Sequence, residues 1–241
     1  LHLPAGAHAV KEKIMKVEDW IRINKLTPRL VDVLPNGPKG FPTSVFFSAG
    51  GVPEVMLKLR NEGLLNLDVL TSTGLTLNEN LDWWEQSEKR DFVRKQLKNS
   101  RNIDPEDVIH SLKNSKKKNM TSTVTFPKGN IAPEGSVVKS TAIDKTVIDD
   151  DGVYRKIGPA RIFISEADAI KAVKDKGANG VKAGDIMVIA CGGPKGTGMQ
   201  EVAQITIALK YLSYGKEVAL ITDGRFSGVS TGACIGHIGP E

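Results

Sequence analysis

The feature that most narrows what this chain can fold into is its final stretch, Lys216 to Glu241, KEVALITDGRFSGVSTGACIGHIGPE. Val218 to Thr222 is a short β-branched and apolar run of the kind that fills a buried strand, and it stops abruptly at Asp223-Gly224. Beyond it Gly224, Gly228, Gly232 and Gly236 recur at every fourth position, with Arg225, Ser227, Ser230 and Thr231 between them. Glycine at this density is costly in chain entropy and suits backbone that turns sharply or lies against a ligand. Chemistry is therefore expected just after the strand ends.

A second glycine block, GGPKGTGMQE from Gly192 to Glu201, follows another buried run, Ile186 to Cys191, and leads into an expected helix from about Met199 to Leu212. Gly192, Gly193, Gly196 and Gly198 let the backbone approach a ligand, and a following helix offers unpaired N–H groups and the positive end of its dipole. That combination suits an anion, and Lys195 adds a formal charge. Glu201 is expected in the first turn, where the dipole favours a carboxylate that could also ligate a hard cation such as Mg2+. Taken alone, Glu201 reads more simply as a capping or surface residue. Ser227 alone reads as a turn serine bonded to its own backbone, and no histidine, His237 included, is placed by sequence for triad chemistry.

Together these residues carry a resemblance. TDGRFSG followed by a small-residue run and GHxxPE, with GGPKGTGMQE upstream of it, resembles the paired signature of the dihydroxy-acid and phosphogluconate dehydratase family. GGVPEVMLKLRNEGLL (50–65), TGLTLNENL (73–81) and GNIAPEGSVVK (129–139) resemble that family too. The wording GVSTGACIGH is most similar to the sugar-acid branch, the xylonate dehydratases. The resemblance implies an α/β (mixed α+β) fold in three parts. Residues 1–81 would be the end of an N-terminal α/β domain and 82–120 a charged helical connector. Residues 121–241 would form an incomplete C-terminal swivelling β/β/α barrel-like domain. It also implies a hydro-lyase that removes water from a polyhydroxy acid to give a 2-keto-3-deoxy acid. Glu201 would be a Mg2+ ligand and Ser227 an alkoxide base acting on the carbon beside the substrate carboxylate. Lys195, Gly196, Thr197, Gly198, Arg225 and Gly228 would form the loops around substrate or anion. The family's iron–sulfur cluster accepts the leaving hydroxyl, but its cysteines belong to an upstream part of the family, and Cys191 and Cys234 do not match them. The chain opens Leu1-His2-Leu3-Pro4 without an initiator methionine, so a fragment is expected, without cluster or turnover on its own. A homo-oligomer is expected at full length.

Composition fits this reading. With 241 residues, 40% hydrophobic and 25% charged, the chain can bury a core. No apolar run approaches the roughly 18–20 residues of a membrane span and no leader is visible, so a cytoplasmic enzyme is the expectation. The two cysteines make neither a disulfide framework nor a metal knuckle and read as small buried residues. The net charge of +5 is concentrated in Lys113 and Lys116 to Lys118, a run without interleaved aromatics that reads as a solvated loop rather than a nucleic-acid site.

In chain order, a small-residue helix is expected over Pro4 to Val10, with His2 and His8 as packing or surface residues. An amphipathic piece over Val17 to Ile23 and a strand over Arg29 to Leu34 come next. A helix opens at Gly50-Gly51-Val52-Pro53 and is capped by Gly63. Trp83 and Trp84 read as anchors on a neighbouring domain, Asp104-Pro105-Glu106 as a helix start, and His110 as exposed. Thr121–Phe126, Ser136–Ile143 and Ala160–Ile164 read as strands, and Ser165–Gly177 as a helix opened by a Ser165/Asp168 capping box.

Three other functions compete. A dihydroxy-acid dehydratase of branched-chain amino-acid synthesis would share both motifs. A nucleotide-binding oxidoreductase shares the order strand, glycine loop, helix, strand and Asp223, but the glycine spacing is wrong for a dinucleotide fingerprint. A non-catalytic binding domain descended from a dehydratase would need the whole protein to lack its cluster cysteines.

Overall fold

The computed structural model describes residues 16–241. The expected helix over Pro4 to Val10, with His2 and His8, lies outside the described residues. The described chain divides into two compact units, residues 16–122 and 123–241.

The first unit is helical: α1 Val17–Leu26, α2 Thr43–Ser48, α3 Gly51–Asn61, α4 Leu77–Glu85, α5 Glu88–Arg101 and α6 Leu112–Lys117. The start of α3 carries Pro53 in its first turn, where a missing N–H does no harm. Its end is a paired C-cap: Gly63 adopts φ +67 and donates to the Arg60 carbonyl, while Leu64 donates to Leu59. Thr76 and Glu79 close a reciprocal capping box on α4, and Ser87 caps α5. Arg29 to Leu34 forms no ladder; its one bridge pairs Val31 with Ile109. Pro105–Asp107 is a single 3-10 turn, with Asp104 as its cap.

Several residues sit differently from expectation. His110 is fully buried, not exposed, because its N–H donates to the Leu30 carbonyl and its ring lies 3.7 Å from buried Asp32. Trp84 packs within its own unit against Leu57 and Leu81, whereas Trp83 is exposed. Lys113 and Lys116 lie on α6, solvated as expected but helical.

The second unit is built on one five-stranded sheet of β1 Gly135–Val138, β2 Ala160–Phe163, β3 Ile186–Ile189, β4 Ala219–Thr222 and β5 Ala233–Gly239. The fold is mixed α/β. The spatial order is β1-β5-β4-β3-β2, with β2 to β5 parallel and β1 antiparallel to β5. β3 and β4 lie centrally and pair Ile186 with Ala219 and Ile189 with Thr222, which explains their unbroken apolar runs. Helices α7, Glu166–Lys174, and α8, Ala203–Lys210, pack on one another and bury Ala169, Val173, Ile205 and Leu209 with Met187 and Leu220. Ser165 caps α7, although Asp168 bonds the Ser165 hydroxyl rather than its backbone N–H. Thr121 to Phe126 contributes only a bridge from Thr125 to Val138, and the run after Val138 turns into a 3-10 helix at Ser140–Ala142. The glycine-rich end of the chain is a strand: β5 occupies Ala233 to Gly239.

Candidate active site

Both glycine motifs follow the C-terminal ends of neighbouring parallel strands, the place where open α/β sheets bind ligands. The first runs from the end of β3 into α8, and the second from the end of β4 to the start of β5. Hydrogen bonds join them. Gly192 donates its N–H to Asp223 Oδ1 at 2.8 Å, Arg225 donates to the Gln200 carbonyl at 2.9 Å, and Val202 donates to the Arg225 carbonyl at 2.8 Å. Glu201 and Arg225 thus pair as a parallel β-bridge. Glu201 stands two residues ahead of α8, not in its first turn, because this bridge holds it extended. Its carboxylate is solvent-exposed.

Ser227 lies two residues beyond Arg225 and is half-buried. Its carbonyl accepts from Ser230 N–H at 2.9 Å and its Oγ accepts from Val229 N–H at 3.3 Å, the hydrogen bonds of a serine turn. Among the described residues the Ser227 hydroxyl has no acceptor. The turn is fastened to α8: Ser227 N–H donates to Ser230 Oγ at 3.1 Å, and Ser230 Oγ bonds Thr206 Oγ1 at 2.9 Å.

The anion-seeking groups of the first loop are already engaged by this chain. Lys195 and Gly196 donate their N–H groups to the two carboxylate oxygens of Glu241 at 2.7 and 2.5 Å. In α8 the N–H of Ile205 donates to buried Glu166 Oε1 at 3.0 Å. The exposed side chain of Lys195 lines a cleft of about 410 Å³ with Asp223, His237 and Glu241. Thr197 Oγ1 bonds the Gly192 carbonyl and accepts from Gln200 N–H, so it shapes the loop. Gly198 takes φ +69. Arg225 Nε bonds the Met199 carbonyl at 2.7 Å, and exposed Gly228 offers its carbonyl to Lys139. His237 makes an edge contact with Phe226 at 6.1 Å between ring centres.

Among the described residues no group of three or more His, Cys, Asp or Glu side chains could hold a metal ion. Glu201 fits a magnesium site as a single hard, exposed oxygen donor. The cysteines do not fit an iron–sulfur cluster. Burial pushes the Cys234 thiol up to about 12, away from the thiolate that ligation needs. Cys191 is exposed rather than buried, since it takes φ +64 at the turn leaving β3.

Glu241 and Glu166 were missed as site-shaping residues. Glu241 closes the GHxxPE motif, a visible signal; nothing in the sequence joins Glu166 to Ile205.

The chain that carries this pair of bridged glycine loops belongs to the dihydroxy-acid/6-phosphogluconate dehydratase family. Residues 107–241 match its C-terminal part and residues 1–80 its N-terminal part. Among individual relatives, the chain is 60% identical over 242 residues to D-xylonate dehydratase YjhG of Escherichia coli and 58% identical over 241 residues to D-xylonate dehydratase YagF of the same organism. It is 38% identical over 242 residues to the dihydroxy-acid dehydratase of Picrophilus torridus. The alignments cover 100% of this chain but 36%, 36% and 38% of those proteins, so the chain spans little more than a third of their length. Among the described residues no helix is long and apolar enough to cross a membrane.

Proposed function

We propose that the whole protein is a hydro-lyase that removes water from a polyhydroxy sugar acid, an aldonate such as xylonate, to give a 2-keto-3-deoxy acid. The observation that supports the chemistry is the Glu201–Arg225 bridge, which pairs the backbone of Glu201 with a residue two positions ahead of Ser227. The choice of a sugar acid over a branched dihydroxy acid rests on identities of 60% and 58% to xylonate dehydratases against 38% to 42% for dihydroxy-acid dehydratases. Residues 1–81 are read as the end of the N-terminal domain, 82–120 as its connector, and 121–241 as part of the swivelling barrel-like domain.

In this reading Ser227 takes the proton from the carbon next to the substrate carboxylate. The hydroxyl on the following carbon leaves as water with a second proton, and the resulting enol becomes the 2-keto acid. Glu201 would be one ligand of a Mg2+ ion, which when bound supplies positive charge for the substrate carboxylate and for the ionised serine hydroxyl. The family's iron–sulfur cluster finds no fitting thiolate in this chain, so no step is assigned to it here. Lys195 and Arg225 supply positive charge at the rim, while the loop amides of Lys195 and Gly196 serve to hold Glu241.

The test is Ser227→Ala in the full-length enzyme. General-base contributions are commonly about 100-fold to 10,000-fold, so kcat should fall within that range with KM nearly constant. Exchange of the C2 hydrogen of substrate with deuterated solvent should fall with it. Exchange at the wild-type rate would remove Ser227 from the role of base. Glu201→Ala should weaken Mg2+ binding, raising the Mg2+ concentration needed for half-maximal rate, and leave the iron–sulfur absorbance intact; an unchanged magnesium titration would refute that ligand.

A further inference from the structure

Lys139 follows β1 directly and is only 7% exposed. Its ammonium donates to the carbonyl oxygens of Gly228 and of Ser230, the latter at 3.2 Å. Among the described residues no carboxylate offsets its charge, and desolvation alone holds it below the ordinary lysine value. An ammonium buried without a counter-ion is costly, and an apolar side chain of similar length would fill the same space without that cost. The fold therefore gains little from this lysine as a packing residue. What it holds is the turn of Ser227: both carbonyls that it binds lie within three residues of that hydroxyl.

The other supports of the turn come from different directions. Ser230 Oγ ties it to Thr206 of α8, and Gly232 N–H bonds the Ala142 carbonyl at 2.9 Å. Without Lys139 the Gly228 carbonyl loses its one partner among the described residues, and the turn can pivot about Ser230. We propose that Lys139 is a positioning residue for Ser227, a buried clamp on the carbonyls of the serine turn that holds the hydroxyl in one place. The inference rests on the reading of Ser227 as the base.

Lys139→Met, Lys139→Gln, Ser227→Ala and the Lys139→Met/Ser227→Ala double variant of the full-length enzyme test it. Lys139→Met should still fold and melt within about 5 °C of the wild type, since relief of the buried charge partly offsets the two freed carbonyls, yet lose about 100-fold in kcat with KM within about threefold, the effect of a displaced reacting group. Amide hydrogen exchange should quicken in residues 224–232 and stay unchanged in β3. In the Ser227→Ala background the added Lys139→Met should change the residual rate by less than about twofold, because the clamp then has no reacting group to place. Wild-type kcat in Lys139→Met beside an impaired Ser227→Ala overturns the clamp and leaves the base in place. An equal loss from Lys139→Met with or without Ser227 overturns it as well. Wild-type turnover in Ser227→Ala instead removes the base assignment itself. Should Lys139→Met fail to fold, Lys139→Gln supplies the same readings; failure of both makes Lys139 a stability element and refutes the proposal.

Discussion

The carboxylate of Glu241 spans the loop after β3, and Gly193 and Gly196 beneath it have no room for a Cβ. A Cβ at Gly196 would stand 2.2 Å from the Cys191 carbonyl oxygen and 3.2 Å from Glu241 Oε1. The first neighbour is backbone and cannot swing aside. Gly196→Ala should therefore cost about 1–3 kcal/mol, the usual range for overpacking, and displace the strand pairing of Glu201. Chemical denaturation would measure the cost, and an unchanged midpoint would contradict the crowding. Close approach was legible in the sequence from the density of glycine in one short loop, and Gly193 and Gly196 are the two positions where it occurs. What approaches them was not, because Glu241 is 45 residues away from Gly196 and only the fold brings it there. Ser227 was legible as a turn residue, but its link through Ser230 to Thr206 depends on where α8 packs.

At the level of whole elements, α3 and α5 are joined by buried charge. Glu54 on α3 is fully buried; Arg90 on α5 donates to both its oxygens at 2.8 and 3.1 Å, and Arg94 lies 3.3 Å away. Glu54→Gln keeps the shape but leaves two guanidinium groups facing a neutral amide. The cost should be about 3 kcal/mol, the low end for breaking a buried pair, since both arginines keep some access to water and Arg94 also binds Glu106. A loss under about 1 kcal/mol in a denaturant titration would show that the network contributes little. Elements with strong local signals match the sequence reading: Ser165 opens α7, and Gly63 closes α3. β5 did not announce itself, since its glycines depress strand propensity and only pairing with β4 and β1 makes the stretch extended. Likewise α8 begins later than its periodicity suggests, because the bridge to Arg225 claims Gln200 to Val202 first.

For the molecule as a whole, each unit has its own apolar core, around Val45, Leu97 and Ile109 in the first and around Met187, Ile205 and Leu220 in the second. Acid should weaken the first unit in two stages. Burial, followed by the charge of Lys118, holds His110 below its ordinary 6.5. The unfolded chain therefore takes up that proton before the folded one does, and stability falls as pH drops through about 6.5. For Glu54 burial acts upward, but the Arg90 hydrogen bond and the charges of Arg94, Arg90 and Lys58 outweigh it and hold the group below 4.5. Its contribution is complete above 4.5 and is lost as pH falls through the lower folded value. The hydrogen-exchange protection of residues 16–122, relative to the intrinsic rate at each pH, should fall at both stages, and His110→Gln should remove the first. A flat response down to pH 5 would sink the assignment. By itself the sequence determined the α/β class, the caps at Gly63, Asp104 and Ser165, the two central strands and the two motif loops, because these follow from local spacing and turn chemistry acting within a few residues. Only the tertiary structure decided that His110 is buried, that Glu241 and Glu166 occupy the amides the loop and helix offer, and that Lys139 lies under the serine turn. Each of those depends on contacts between distant segments, whose free energy is settled by which surfaces the fold removes from water.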